Sequence, residues 1–198
     1  MTYSGDKLID SVVSFGRATL LKGAPGTGKT LLALQAVRRT LRAKLPVVYV
    51  DFGGVLDAPL SADFGIPPNP EFHLFTYIPA GDLTGQIKVL QKTLPDKGLI
   101  VLDGVECSSS VSGRLAAVSI IWTNVLPTLK AHICENHSVA LLATGTATPG
   151  RIWDFSFDTV IELAPSGFST LKNRFGAKFS GTVNLDELVP GPTTNPPG

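Results

Sequence analysis

The strongest chemical signal in the chain is Gly23-Ala24-Pro25-Gly26-Thr27-Gly28-Lys29-Thr30, which fits the spacing G-x-x-x-x-G-K-[ST]. Gly23, Gly26 and Gly28 let the backbone curl so that successive N–H groups face one anion. A helix opening at Lys29 adds its positive N-terminal end. In such a loop the Lys29 amine reaches the β- and γ-phosphates of a nucleotide, and the Thr30 hydroxyl ligates Mg²⁺. The bland alternative is a glycine-rich turn with a chance lysine. The spacing predicts a phosphate cradle for ATP, with Mg²⁺ as its metal.

A second candidate is Asp103, which closes the apolar run Leu99-Ile-Val-Leu-Asp103. A run of this kind reads as a strand buried on both faces, with its acid at the carboxyl edge of a sheet, beside the cradle. There Asp103 would hold Mg²⁺ through a water. Alone, an acid closing a strand is commonplace; the cradle upstream gives it meaning.

These residues need elements to position them. Ala18–Lys22 reads as a strand and Lys29–Arg42 as a helix, with Pro46 before the strand Val47–Asp51. Residues 53–70 hold Gly65, Pro67, Pro68 and Pro70, so they cannot be regular throughout and are expected to wrap an edge. Phe72–Ile78 reads as a short strand and Leu83–Leu94 as a helix stopped by Pro95. Arg114–Asn136 has helical length, with a kink expected at Pro127. Val139–Thr144, Thr159–Leu163, Ser169–Arg174 and Thr182–Leu185 complete the sheet. No helices separate the last three, which predicts antiparallel hairpins. The expectation is an α/β domain with a central, mostly parallel sheet, helices on both faces and antiparallel C-terminal strands.

The 198 residues suit one domain, with a core over 1–188 and a disordered Pro/Gly-rich tail at 189–198. Hydrophobic residues make up 43% and charged residues 17%, as in a globular chain. A net charge of +1 gives no electrostatic case for strong nucleic-acid binding. The basic cluster Arg38, Arg39, Arg42 and Lys44 reads first as a solvated helix end. Cys107 and Cys134 lack metal-ligand spacing and suit a reducing cytosol. The N-terminus has no signal-peptide core, and no apolar run reaches membrane-spanning length. The expectation is a soluble protein of the cytoplasm, or of the nucleoid or nucleus, with no membrane partner.

GAPGTGKT, VVYVDFGG, LIVLDG and LKNRFG, in that order, resemble the RecA-like ATPases over roughly residues 12–188. The resemblance is nearest to RadA recombinases with their paralogs and to KaiC, and more distant to DnaB-type helicases. It implies a P-loop strand at the centre of the sheet, and ATP at an interface between copies of the chain or beside a related RecA-like subunit. It implies work on DNA in recombination, repair or unwinding, or an ATP-driven signalling role.

Two departures from the family pattern stand out. The family's catalytic glutamate falls on Gly53. A general base is worth roughly 10²- to 10⁴-fold in rate, so hydrolysis should be slow. Asp51 and Glu106 are the acids near enough in sequence to stand in, although Asp51 also suits a cap on the sheet edge and Glu106 a solvated loop. At the end of LLATGT, Gly145 and Thr146 stand where a polar amide often senses the γ-phosphate. Thr144 and Thr146 read as water binders or as simple strand terminators.

LKNRFG points the other way. Lys172 and Arg174 share a strand face by period two, and in KaiC and DnaB-type proteins such a pair enters a neighbouring subunit's nucleotide site. The alternative is a basic pair on an edge strand. Phe15-Gly-Arg-Ala18 fits an F-x-x-A polymerisation pattern but abuts the P-loop strand, which discounts it. The loops that face DNA in relatives fall near 106–114 and 145–156, with Arg114, Arg151 and Trp153. Those few cations predict weak, salt-sensitive binding of single-stranded DNA. Three readings follow: a slow RecA-like ATPase in DNA recombination or repair, a non-hydrolysing ATP-dependent switch or scaffold, and a small-molecule kinase. The kinase reading is disfavoured because residues 104–160 hold no arginine-rich lid.

Overall fold

Val47–Asp51, Gly98–Asp103 and Val139–Gly145 are buried at every position, as strands covered on both faces must be. The computed structural model describes residues 5–54, 56, 58–66, 70–76, 83–105, 125–145, 156–165, 167–174, 176, 178 and 180–182. In chain order the elements are α1 (Gly5–Val12), β1 (Ala18–Gly23), α2 (Lys29–Arg42), β2 (Val47–Asp51), α3 (Ala58–Asp63), β3 (Phe72–Thr76) and α4 (Leu83–Thr93). They continue with β4 (Gly98–Asp103), α5 (Leu126–Glu135), β5 (Val139–Gly145), β6 (Thr159–Ala164), β7 (Gly167–Asn173) and β8 (Ser180–Gly181).

The strands form one eight-stranded sheet in the order β3-β2-β4-β5-β1-β6-β7-β8. β3 through β6 in that order are parallel, and β7 and β8 are antiparallel additions. This is the expected α/β sheet. Alternation along the strands sends Tyr49, Val101, Leu142 and Leu21 to one core, shared with α1 and α2. It sends Val48, Ile100, Leu141 and Leu20 to the other, shared with Leu90 of α4 and with Leu126, Leu129 and Ile133 of α5.

Registers of Lys22 with Gly145, Gly23 with Leu163, and Asp51 with Asp103 bring the carboxyl ends of the parallel strands to one edge. β5 lies between β1 and β4, so two strand spacings, roughly 10 Å, separate the cradle strand from the strand that carries Asp103.

Several local expectations change. The stretch 53–70 contains the short helix α3, and Leu8, Ile9 and Val12 make α1 an amphipathic helix packed on the first core. Pro127 lies in the first turn of α5, where its missing N–H costs nothing, and residues 114–124 of the expected helix lie outside the described residues. β6 joins β1 in parallel before it pairs antiparallel with β7. β8 is described at Ser180–Gly181, and residues 183–185 of the expected strand Thr182–Leu185 lie outside the described residues. The tail at 189–198 and residues 106–124 and 146–155 lie outside the described residues, as does Cys107, while Cys134 is a free, exposed thiol. Among the described residues no helix is long and apolar enough to cross a membrane.

Gly98 shows how tightly β4 enters the sheet. Its φ is +115°, and a Cβ there would lie 2.1 Å from the Pro46 carbonyl oxygen. Gly98→Ala should therefore lower the unfolding free energy by at least about 2 kcal/mol. A urea titration would show this as a lower midpoint with an unchanged slope.

Candidate functional site

The loop from Gly23 to Thr30 is shaped by close approach. A Cβ on Gly23 would sit 2.6 Å from both the Leu163 carbonyl oxygen and Thr27 Oγ1, so only glycine fits. Gly26 and Gly28 adopt φ of 81° and 85°, in the left-handed region that glycine tolerates. Thr27 Oγ1 donates to the Ala24 carbonyl and closes the turn. Gly28 precedes the first turn of α2 with no side-chain cap, so the helix presents its N–H groups to the loop. Ala24, Pro25 and Gly26 form an exposed rim, while Lys29 is buried beneath it. The Lys29 Nζ donates to the Gly23 and Ala24 carbonyls, each at 2.9 Å. One ammonium and the N–H groups of a helix end thus meet at the same loop, which is the chemistry of anion binding.

One strand beyond β5 sits Asp103, buried and held by three hydroxyls. Thr30 Oγ1 donates to Asp103 Oδ1 at 3.2 Å, and Thr144 Oγ1 donates to the same oxygen at 2.5 Å. Tyr49 donates its phenolic O–H to Oδ2 at 2.7 Å. The Gly104 N–H donates in turn to Thr144 Oγ1. Burial, and then the Asp103 charge and hydrogen bond, raise the Tyr49 pKa well above its ordinary value of 10.0. Thr30 and Asp103 therefore place two oxygens side by side at the mouth of the loop. Among the described residues no group of three His, Cys, Asp or Glu side chains could hold a metal ion. The Thr30–Asp103 pair suits a hard cation such as Mg²⁺, which takes one or two protein oxygens and completes its shell with phosphate and water.

Asp51 is engaged elsewhere. Its Oδ1 accepts the Gly53 and Gly54 N–H groups at 3.0 and 2.9 Å, and its Oδ2 accepts the Leu56 N–H at 2.7 Å. The acid considered as a stand-in base is the anchor of the turn that follows β2. Glu106, the other such acid, lies outside the described residues, as do Thr146, Arg114, Arg151 and Trp153.

Lys172 and Arg174 lie toward the other end of β7 from the cradle. Lys172 is level with Val160, which pairs with Leu20, about 10 Å back along β1 from Gly23. Its Nζ donates to the Phe157 carbonyl, and Arg174 Nη1 lies 3.4 Å from Asp158 Oδ1. Asp158 Oδ2 also accepts the Ala18 N–H, pinning the start of β1. The structure thus gathers the Gly23–Thr30 loop with Asp103 and leaves Lys172 and Arg174 apart from them. In the F-x-x-A stretch, Ala18 is fully buried in β1, which removes it from any docking surface.

Tyr49 and Asp158 are contributors that motif reading passes over as chemistry, and Thr144, expected as a water binder or strand terminator, donates to Asp103. Tyr49 carried one usable signal: it is the sole hydroxyl in the apolar run Val47–Val50, and it shares a strand face with Asp51. A cleft of about 500 Å³ adjoins the loop on the β6–β7 side, with Ala24, Thr27, Pro165 and Phe168 in its lining. Compared with known proteins, the chain matches no family model and no curated sequence.

Two outcomes follow from these hydrogen bonds. Asp51→Asn replaces one acceptor oxygen by a donor beside backbone N–H groups, and it should cost about 2–4 kcal/mol of stability in chemical denaturation. Tyr49 is neutral in the folded chain at a pH where it ionises once unfolded. Its contribution is complete below the unfolded pKa of 10.0 and is lost as pH rises above it toward the raised folded value. Between those values the wild-type unfolding free energy should fall by about 1.4 kcal/mol per pH unit more than that of Tyr49→Phe.

Proposed function

We propose that the chain is a RecA-like P-loop ATPase that binds Mg-ATP in the Gly23–Thr30 loop, hydrolyses it slowly, and acts in DNA recombination or repair. The observation that carries the reading is the convergence of the loop, the buried Lys29 and the Thr30–Asp103 oxygen pair at one sheet edge. With a triphosphate in the loop, Lys29 exchanges its two carbonyl partners for phosphate oxygens. Thr30 and Asp103 would hold the Mg²⁺. Bound Mg²⁺ supplies neutralisation of the phosphate charge. The adjoining cleft takes the base. Motif order, ending in LKNRFG, supports the RecA-like branch and the DNA role.

Lys172 and Arg174 lie too far from their own cradle to serve it, so a catalytic contribution is made to a second copy or to a related subunit. A second reading, a switch or scaffold in which ATP binds without turnover, is favoured by one specific feature. Gly53 offers no base, and Asp51 is committed to its turn.

Mg-ATP should stabilise the protein by about 2.7 kcal/mol when present at a hundred times its dissociation constant, and Lys29→Ala should abolish the shift in melting temperature. A wild-type melting temperature indifferent to Mg-ATP would sink the proposal. Wild-type hydrolysis should be slow, and Gly53→Glu should raise it by up to about 10²-fold. Loss of DNA-stimulated turnover in Lys172→Ala/Arg174→Ala, with ATP binding intact, separates the ATPase from the switch. If turnover is absent with and without single-stranded DNA, the switch reading takes its place.

A further inference from the structure

We propose that a second anion site, built to take a phosphate group, lies at the far end of α2 from the nucleotide loop. A cleft of about 330 Å³ opens there, lined by Ile9, Gln35, Arg38, Arg39 and Arg42. Its nearest cation, Arg38, is nine residues beyond Lys29 on the same helix, roughly 14 Å along the axis. The two sites are therefore separate.

The lining is unusual for a mere solvated helix end. Arg38 Nε is buried and has no hydrogen-bond partner. A buried guanidinium N–H without an acceptor is costly. Burial and the neighbouring Arg42 charge lower the Arg38 pKa, the direction expected where like charges converge without full compensation. Asp10 pairs with Arg39 at 2.7 Å. Among the described residues Arg38 and Arg42 make no salt bridge, which leaves two positive charges to be matched. A phosphate dianion matches both, where a single carboxylate would match one. Guanidinium groups also present paired N–H donors that fit phosphate oxygens two at a time. The turn after α3 passes beside Arg38: a Cβ on Gly65 would lie 3.5 Å from Arg38 Nε.

The phosphate could come from a small phosphorylated molecule or from a nucleic-acid backbone, and the test separates them. Nitrogen-15 spectra of the full chain would follow the Arg38 Nε–H and Gly65 N–H signals during titration with pyrophosphate, with a short oligothymidine and with succinate. Saturable shifts at both signals are expected with pyrophosphate or oligothymidine. They should be distinct from shifts of Gly26 and Gly28, and they should persist in Lys29→Ala. Arg42→Gln should weaken the response about tenfold or more. A tighter response to pyrophosphate assigns a small phosphate ester, and a tighter response to oligothymidine assigns a nucleic-acid backbone. Silence at Arg38 and Gly65 with both ligands overturns the site. An equal response to succinate overturns its assignment to phosphate, and an undiminished response in Arg42→Gln overturns its construction from the arginine cluster.

Discussion

The carboxylate of Asp103 is the point on which the site depends. It is an acid almost withdrawn from water at the end of β4, and such a group is tolerated only where its oxygens are well supplied with donors. Three hydroxyls supply them, each from a different element: Thr30 from α2, Tyr49 from β2 and Thr144 from β5. The same contacts tie together the helix that opens the loop, the strand that lies between, and the strand on the far side. A local electrostatic requirement thereby fixes the position of Thr30 relative to Asp103, and with it the oxygens that a hard cation would use.

That arrangement explains why the loop and the acid can cooperate although β5 separates their strands. The loop is set by glycine geometry at Gly23, Gly26 and Gly28, and by the Lys29 ammonium folded onto the Gly23 and Ala24 carbonyls. The first turn of α2 then carries Thr30 across β5 to Asp103. Asp51, level with Asp103 on β2, serves the turn that follows its strand. Two acids on neighbouring strands thus do different work. One is supplied by three side-chain hydroxyls, Thr30 among them, while the other is saturated by backbone N–H groups. The consequence for the candidate site is that Asp51 is committed to its turn, while Glu162 is the carboxylate that lines the cleft beside the loop.

How much of this was legible beforehand follows from the range of the interactions. GAPGTGKT announced itself because most constraints on it are local: φ at Gly26 and Gly28, the Gly23–Thr27 approach and the helix start act within eight residues, while only the Gly23 approach to Leu163 is long-range. The buried strands Val47–Asp51 and Leu99–Asp103 were legible for the same reason, as continuous apolar runs ending on an acid. The turn anchored by Asp51 spans only five residues, yet a carboxylate facing a backbone turn looks the same in sequence as one facing a ligand. Tyr49 and Thr144 act on Asp103 across 54 and 41 residues, and Asp158 reaches Ala18 across 140. No spacing rule reaches that far. α1 escaped because two turns of helix offer too few apolar positions to establish a period before α2 is there to receive them.

The central claim is that Asp103 forms the metal side of a nucleotide site. Calorimetric titration of the wild type and of folded Asp103→Asn with ATP, each with and without Mg²⁺, tests it most directly. The account predicts that Mg²⁺ tightens ATP binding to the wild type but not to Asp103→Asn, with similar affinities for the two proteins when the metal is withheld. An equal gain from Mg²⁺ in both proteins, or no ATP binding by the wild type, would contradict it.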